Sequence, residues 1–174
     1  MTNRGPIRAF SLVEVIIAAG VFAASVAVVI SLLPALTRHS VEAQDALTAL
    51  RLPDALKPEL RRLAAAGGTE AMAAHVPVMG SPLDGGLGLV ATRDASRLQA
   101  RDYSPPVSGI ISAGDQYFLI ECWRFPDEPL RFDAQKHFFA LAVRVSWPYR
   151  LPGASEPTAP GTRAQVMFTT SIVR

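Results

Sequence analysis

The chain has 174 residues, enough for one membrane segment and one small domain. Its formal charge is +2, from 17 Lys+Arg and 15 Asp+Glu. Arg4 and Arg8 precede every acidic residue, so 17 less these two leaves 15 basic against 15 acidic after Ala9. A neutral remainder gives no sign of nucleic-acid binding, which needs a basic patch on the folded domain. Arg38, Arg61 and Arg62 are scattered among acids and read as solvated helix faces. The single cysteine, Cys122, excludes an internal disulfide and any cysteine cluster for zinc or iron–sulfur ligation. It lies in the apolar stretch Tyr117 to Phe125 and reads as a buried thiol.

The first element is an apolar run from Val15 to Leu36, interrupted by Gly20, Ser25, Ser31 and Pro34. A helix of about 22 residues rising about 1.5 Å each reaches about 33 Å, against a bilayer core of about 30 Å. The run predicts a membrane-spanning helix. It is longer than the roughly 7–15 apolar residues of a cleaved secretory signal, and Leu33-Pro34-Ala35-Leu36 offers a poor cleavage site. Arg4 and Arg8 place the N-terminus in the cytoplasm by the positive-inside rule. Ala18, Ala19, Gly20, Ala23, Ala24, Ser25 and Ala27 let other helices approach closely. Pro34 removes a backbone donor, so a local loosening is expected there.

Glu14 stands at the entry of this run. A carboxylate in a membrane helix is costly and signals a function with a partner. Ala9-Phe10-Ser11-Leu12-Val13-Glu14-Val15 resembles the processing motif of type IV pilins and type II secretion pseudopilins. The resemblance implies that Met1 to Ala9 is a leader, with Arg4 and Arg8 as its charge. It implies cleavage between Ala9 and Phe10 by a prepilin peptidase, which then methylates the Phe10 amine. The usual Gly before the cut is here Ala9. Glu14 is fifth from Phe10, the place of the family's assembly carboxylate. In a filament it would meet the amine of a neighbouring subunit.

From Val41 the pattern turns amphipathic, so the helix continues into a soluble domain as one stalk. Pro53 is expected to end or bend it. Lys57-Pro58-Glu59-Leu60 restarts a short helix with Pro in its first turn, and Gly67-Gly68 terminates it. Residues Val76 to Gly88 read as loop. Gly85-Gly86-Leu87-Gly88 lacks the Lys-Ser/Thr ending of a phosphate loop.

The last third is strand-like. Gln116 to Phe125, Phe139 to Trp147 and Gln165 to Ile172 are the candidates, the latter two alternating with period two. A further strand near Leu87 to Thr92 makes a sheet of three or four. Val143-Arg144-Val145-Ser146-Trp147-Pro148 resembles the C-terminal region of minor pilins of the I/V group. The absence of a cysteine pair there also points to a minor component.

The expected fold is α+β and pilin-like: a long N-terminal helix, membrane-spanning in its first half, packed on a small antiparallel sheet. The expected divisions are 1–9 leader, 10–36 assembly helix, 37–66 helical continuation with a second short helix, and 67–174 globular domain. The expected function is a structural subunit of a secretion pseudopilus or type IV pilus. Its partners would be the prepilin peptidase, other pilins and an inner-membrane assembly platform. The expected location is the bacterial inner membrane, single-pass, with a periplasmic C-terminal domain, and then a filament. The alternatives are an unprocessed, membrane-anchored periplasmic binding module and a DNA-uptake pseudopilin. Catalysis is not expected. His39, His75 and His137 share no metal-ligand spacing, Asp127 and Glu128 lie in a Pro-rich loop, and nothing calls for a cofactor.

Overall fold

A computed structural model describes residues 11–80, 87–101, 111–136, 138–154 and 156–173. The fold is α+β, with one long helix, α1 (Leu12–His75), and five strands. The strands are β1 (Gly88–Ala91), β2 (Leu98–Ala100), β3 (Phe118–Arg124), β4 (Phe138–Trp147) and β5 (Ala164–Val173). They form one sheet in the order β2-β1-β3-β4-β5, antiparallel throughout. The chain divides after Gln44 into two compact units.

In the unit from Asp45 onward, α1 covers one face of the sheet. Ala49, Leu52, Leu56, Leu60 and Leu63 recur at helical spacing and are buried. They share one core with Leu89, Phe118, Ile120, Cys122, Phe139, Leu141, Val143, Val145, Trp147 and Ile172. Each fully buried leucine contributes about 1.5–3 kcal/mol. Cys122 lies within this core with no exposed surface. Burial pushes its thiol up to about 12, with the Glu121 carboxylate adding to the shift. The thiol therefore stays protonated at neutral pH. A smaller cluster, Val90, Ile111, Leu119 and Tyr149, packs on the other face.

Two expectations about α1 are corrected, the break at Pro53 and the short helix restarted at Pro58. The helix runs through Pro53 and Pro58 without a break, so there is no second short helix before Gly67. Each proline forfeits one backbone bond, but the unbroken row of buried leucines holds the helix across both. Pro34 likewise stays within helical geometry. The stop expected at Gly67-Gly68 is present: Gly68 leaves helical geometry, at φ 80 and ψ 159, and a separate helical stretch follows it to His75. A residue without Cβ takes that φ at little cost. The resumed turn is held because Met72, Ala73 and Val76 are buried in the core. Beyond it the chain docks on β3. Arg124 Nε donates to the Val76 carbonyl at 2.8 Å, and Arg124 N donates to the Pro77 carbonyl at 2.8 Å.

The sheet also has one strand more than expected. β2 is three residues long and pairs with β1 across the turn Thr92–Arg97. Asp94 builds that turn by accepting bonds from Thr92 Oγ1 at 2.6 Å and from Ser96 N at 3.1 Å. These bonds, the Thr92 hydroxyl first, hold the Asp94 carboxyl down to about 2.

The same turn presents Arg93 to α1. Its Nε and a terminal nitrogen donate to the two Asp45 oxygens, each at 2.9 Å. Tyr117 Oη donates to Asp45 Oδ2 at 2.6 Å, and the Arg93 guanidinium lies 4.8 Å from the Tyr117 ring centre. Asp45 is buried while Arg93 is half exposed. Solvent screens the arginine's share, yet losing the carboxylate charge leaves the partly buried Tyr117 phenol and the Arg93 fork with a weaker, neutral acceptor. Asp45→Asn is expected to lower the unfolding free energy by about 1–3 kcal/mol. Denaturant titration of the full chain in detergent, read by the buried Trp123 and Trp147, checks this.

Burial, and then the bond to Asp45, raise the Tyr117 hydroxyl to about 12. The folded state thus holds this proton more tightly than the unfolded chain, whose phenol titrates near 10. Its contribution is intact below pH 10 and is lost as pH rises from 10 through 12. Tyr117→Phe is expected to remove that part of the alkaline loss of stability, and denaturation curves across this range would detect it.

Candidate functional site

The unit before Asp45 consists, among the described residues, of Ser11 and the first stretch of α1. Every residue from Ser11 to Gln44 is exposed. Leu12, Val13, Ile16, Ile17, Val21, Phe22, Val28, Val29, Ile30 and Leu36 leave more than half of their surface open. Consecutive helical residues point about 100° apart, so these side chains cover the helix on every side. An all-round apolar helix belongs in a protein core or a membrane. This stretch is long and apolar enough to cross a bilayer, and none of it is buried among the described residues. It is a candidate membrane anchor.

Its polar groups are dealt with internally. The Ser25 hydroxyl donates to the Val21 carbonyl at 2.8 Å, and that of Ser31 to the Val28 carbonyl at 2.7 Å. Thr37 Oγ1 lies 3.1 Å from the Leu33 carbonyl and 3.0 Å from that of Pro34. Hydrocarbon offers no hydrogen bonds, so hydroxyls folded back on the backbone are what a lipid-facing helix requires.

At the N-terminal end Glu14 and Ser11 cap the helix reciprocally. Glu14 N donates to Ser11 Oγ at 3.2 Å, and Ser11 N donates to Glu14 Oε2 at 3.2 Å. This is a capping box, Ser-x-x-Glu, which satisfies two of the donors a helix start leaves open. It also sets the carboxylate at the positive end of the helix dipole. The Glu14 carboxylate therefore turns back toward the residue that follows Phe10. Reading Glu14 only as an intramembrane acid misses this second role, although the spacing in Ser11-Leu12-Val13-Glu14 carries the signal.

Arg4, Arg8, Ala9 and Phe10 lie outside the described residues, as do His137 and two of the glycines in Gly85-Gly86-Leu87-Gly88. Gly88 opens β1. His39 and Glu42 form an exposed pair at 3.7 Å. Glu128 faces Lys136 at 2.6 Å and Arg131 at 3.6 Å, so it sits in a surface charge cluster. Among the described residues no group of His, Cys, Asp or Glu could hold a metal. Comparison with family models, curated proteins and solved structures gives no match.

Ser11→Ala is expected to weaken the first turn of α1 by about 0.5–2 kcal/mol. Faster amide exchange over Leu12 to Val15 is the readout. Glu14→Gln should leave it nearly unchanged, since Gln serves in the same capping position.

Proposed function

We propose that this chain is a pilin-like structural subunit, inserted in a bacterial inner membrane and drawn into a filament through the first stretch of α1. The observation that carries the reading is Glu14, fifth from Phe10 and turned toward the N-terminal end of an apolar helix whose side chains are exposed. A prepilin peptidase would cut between Ala9 and Phe10 and methylate the new amine. Arg4 and Arg8 would hold the leader on the cytoplasmic side, leaving the unit from Asp45 onward in the periplasm. Other pilins and an inner-membrane assembly platform would be the partners.

The physical basis is a register device. In the water-poor centre of a filament, an unpaired carboxylate is expensive. Removing one partner of a buried ion pair typically costs about 3–5 kcal/mol. A neighbour's positive N-terminal amine relieves that cost only when the subunits align, so slipped arrangements are disfavoured. The capping bond from Ser11 orients the carboxylate before a neighbour arrives.

Two measurements test the reading. Intact-mass analysis of the membrane form, in cells with an active prepilin peptidase, is expected to find a chain starting at N-methylated Phe10. A chain retaining Met1 to Ala9 would instead favour an unprocessed membrane-anchored binding module. Glu14→Gln separates charge from capping. It is expected to remain inserted and capped, yet to lose most co-purification with filament partners. Unchanged incorporation would show that the charge does not set register.

A further inference from the structure

We propose that the open edge of β5 is a strand-addition site. Its occupant is an extended segment of a different protein, running antiparallel to β5 and bearing a carboxylate near its C-terminal end. The surface lies wholly in the unit from Asp45 onward, so it stands whether or not residues 1–9 are removed.

β5 is a ten-residue edge strand that, among the described residues, pairs on one side only, with β4. Alternate residues of such a strand turn their backbone N–H and C=O groups toward the open side. Proteins usually blunt an edge of this length with charges, proline, a bulge or a short strand. β2, the opposite edge, is three residues long and flanked by Arg97 and Arg101. β5 has none of these protections: Ala164 to Val173 contains no charged residue, no proline and no glycine. Met167 and Val173 are exposed, and Val166 and Phe168 are only partly buried against the core. An added strand would cover them.

Charge decides between occupants. In sequence β5 lies between Arg163 and Arg174. A second copy pairing antiparallel would bring the Ser171-Ile172-Val173 end of its β5, which has no carboxylate side chain, to Arg163. At the start of β5 the outer face of the sheet also carries a recess of about 140 Å³. It is lined by Glu121, Arg144, Ser146, Pro160, Arg163 and Gln165. The Arg144 charge is already matched, since a terminal nitrogen lies 2.7 Å from Glu121 Oε2. Arg163 donates to the Thr158 carbonyl, and among the described residues no carboxylate forms an ion pair with it. Ser146 Oγ is buried and has no hydrogen-bond partner among the described residues. A buried hydroxyl without a partner is costly. An arginine in excess, an unmatched hydroxyl and the Gln165 amide together suit a carboxylate. An antiparallel partner strand would bring its C-terminal end to this recess.

The test uses the full chain in detergent micelles and fluorescent synthetic heptapeptides of alternating valine and threonine. One ends in aspartate, one in lysine, and one carries the aspartate but has alternate amides N-methylated. Anisotropy is expected to show saturable binding of the aspartate peptide, about tenfold tighter than the lysine peptide. Blocking the amides should abolish it. Arg163→Gln and Ser146→Ala should each shrink the preference for aspartate to about twofold or less, while tryptophan fluorescence stays native. The comparison of peptides on the unaltered chain needs no variant. Equal affinity for aspartate and lysine peptides, or equal binding of the N-methylated peptide, overturns the proposal. So does a Met167→Cys chain that forms disulfide-linked dimers which the aspartate peptide does not compete away, since the occupant would then be a second copy.

Discussion

The apolar surface that residues 12–36 present on every side is the constraint to which the other features answer. Among the described residues nothing covers it. Water does not tolerate that much contiguous apolar surface on a soluble monomer, so the segment needs lipid or other helices. The internal bonds of Ser25, Ser31 and Thr37 answer the same demand, because they leave no hydroxyl seeking a partner in hydrocarbon. Glu14 is the one charge in the apolar segment. Its placement at the helix start, bonded to Ser11, keeps it at the least costly position the segment offers.

The unit from Asp45 onward solves a different problem by ordinary means. One leucine row on α1 meets one face of a five-stranded sheet. The row carries the helix past Pro53 and Pro58, each of which lowers local stability without overcoming the packing. Asp45 adds a polar lock, since it joins α1 to the β1–β2 turn through Arg93 and to the start of β3 through Tyr117. Cys122, sealed in the core, has the environment of a packing residue.

The parts of this arrangement that were legible in the sequence are those with a strong local period. The apolar run, the alternation in β4 and β5, and the leucine spacing all declared themselves. β2 did not, because three residues are too few to show alternation and only its pairing with β1 makes it a strand. Pro53 and Pro58 do not break the helix, because propensity is local and the compensating leucine contacts are not. The Asp45 lock joins residues 48 and 72 positions apart, which no spacing argument reaches. The capping box at Ser11 and Glu14 was present as a four-residue pattern.

The central claim is that Glu14 meets the N-terminal amine of a neighbouring subunit. Zero-length carbodiimide coupling of assembled membranes, followed by mass spectrometry, tests it most directly. The account predicts an amide link between the Glu14 carboxylate and the N-terminal amine of a neighbouring chain, absent from the detergent-dispersed protein. Assembled material in which Glu14 stays unlinked while exposed carboxylates such as Glu42 react would contradict it.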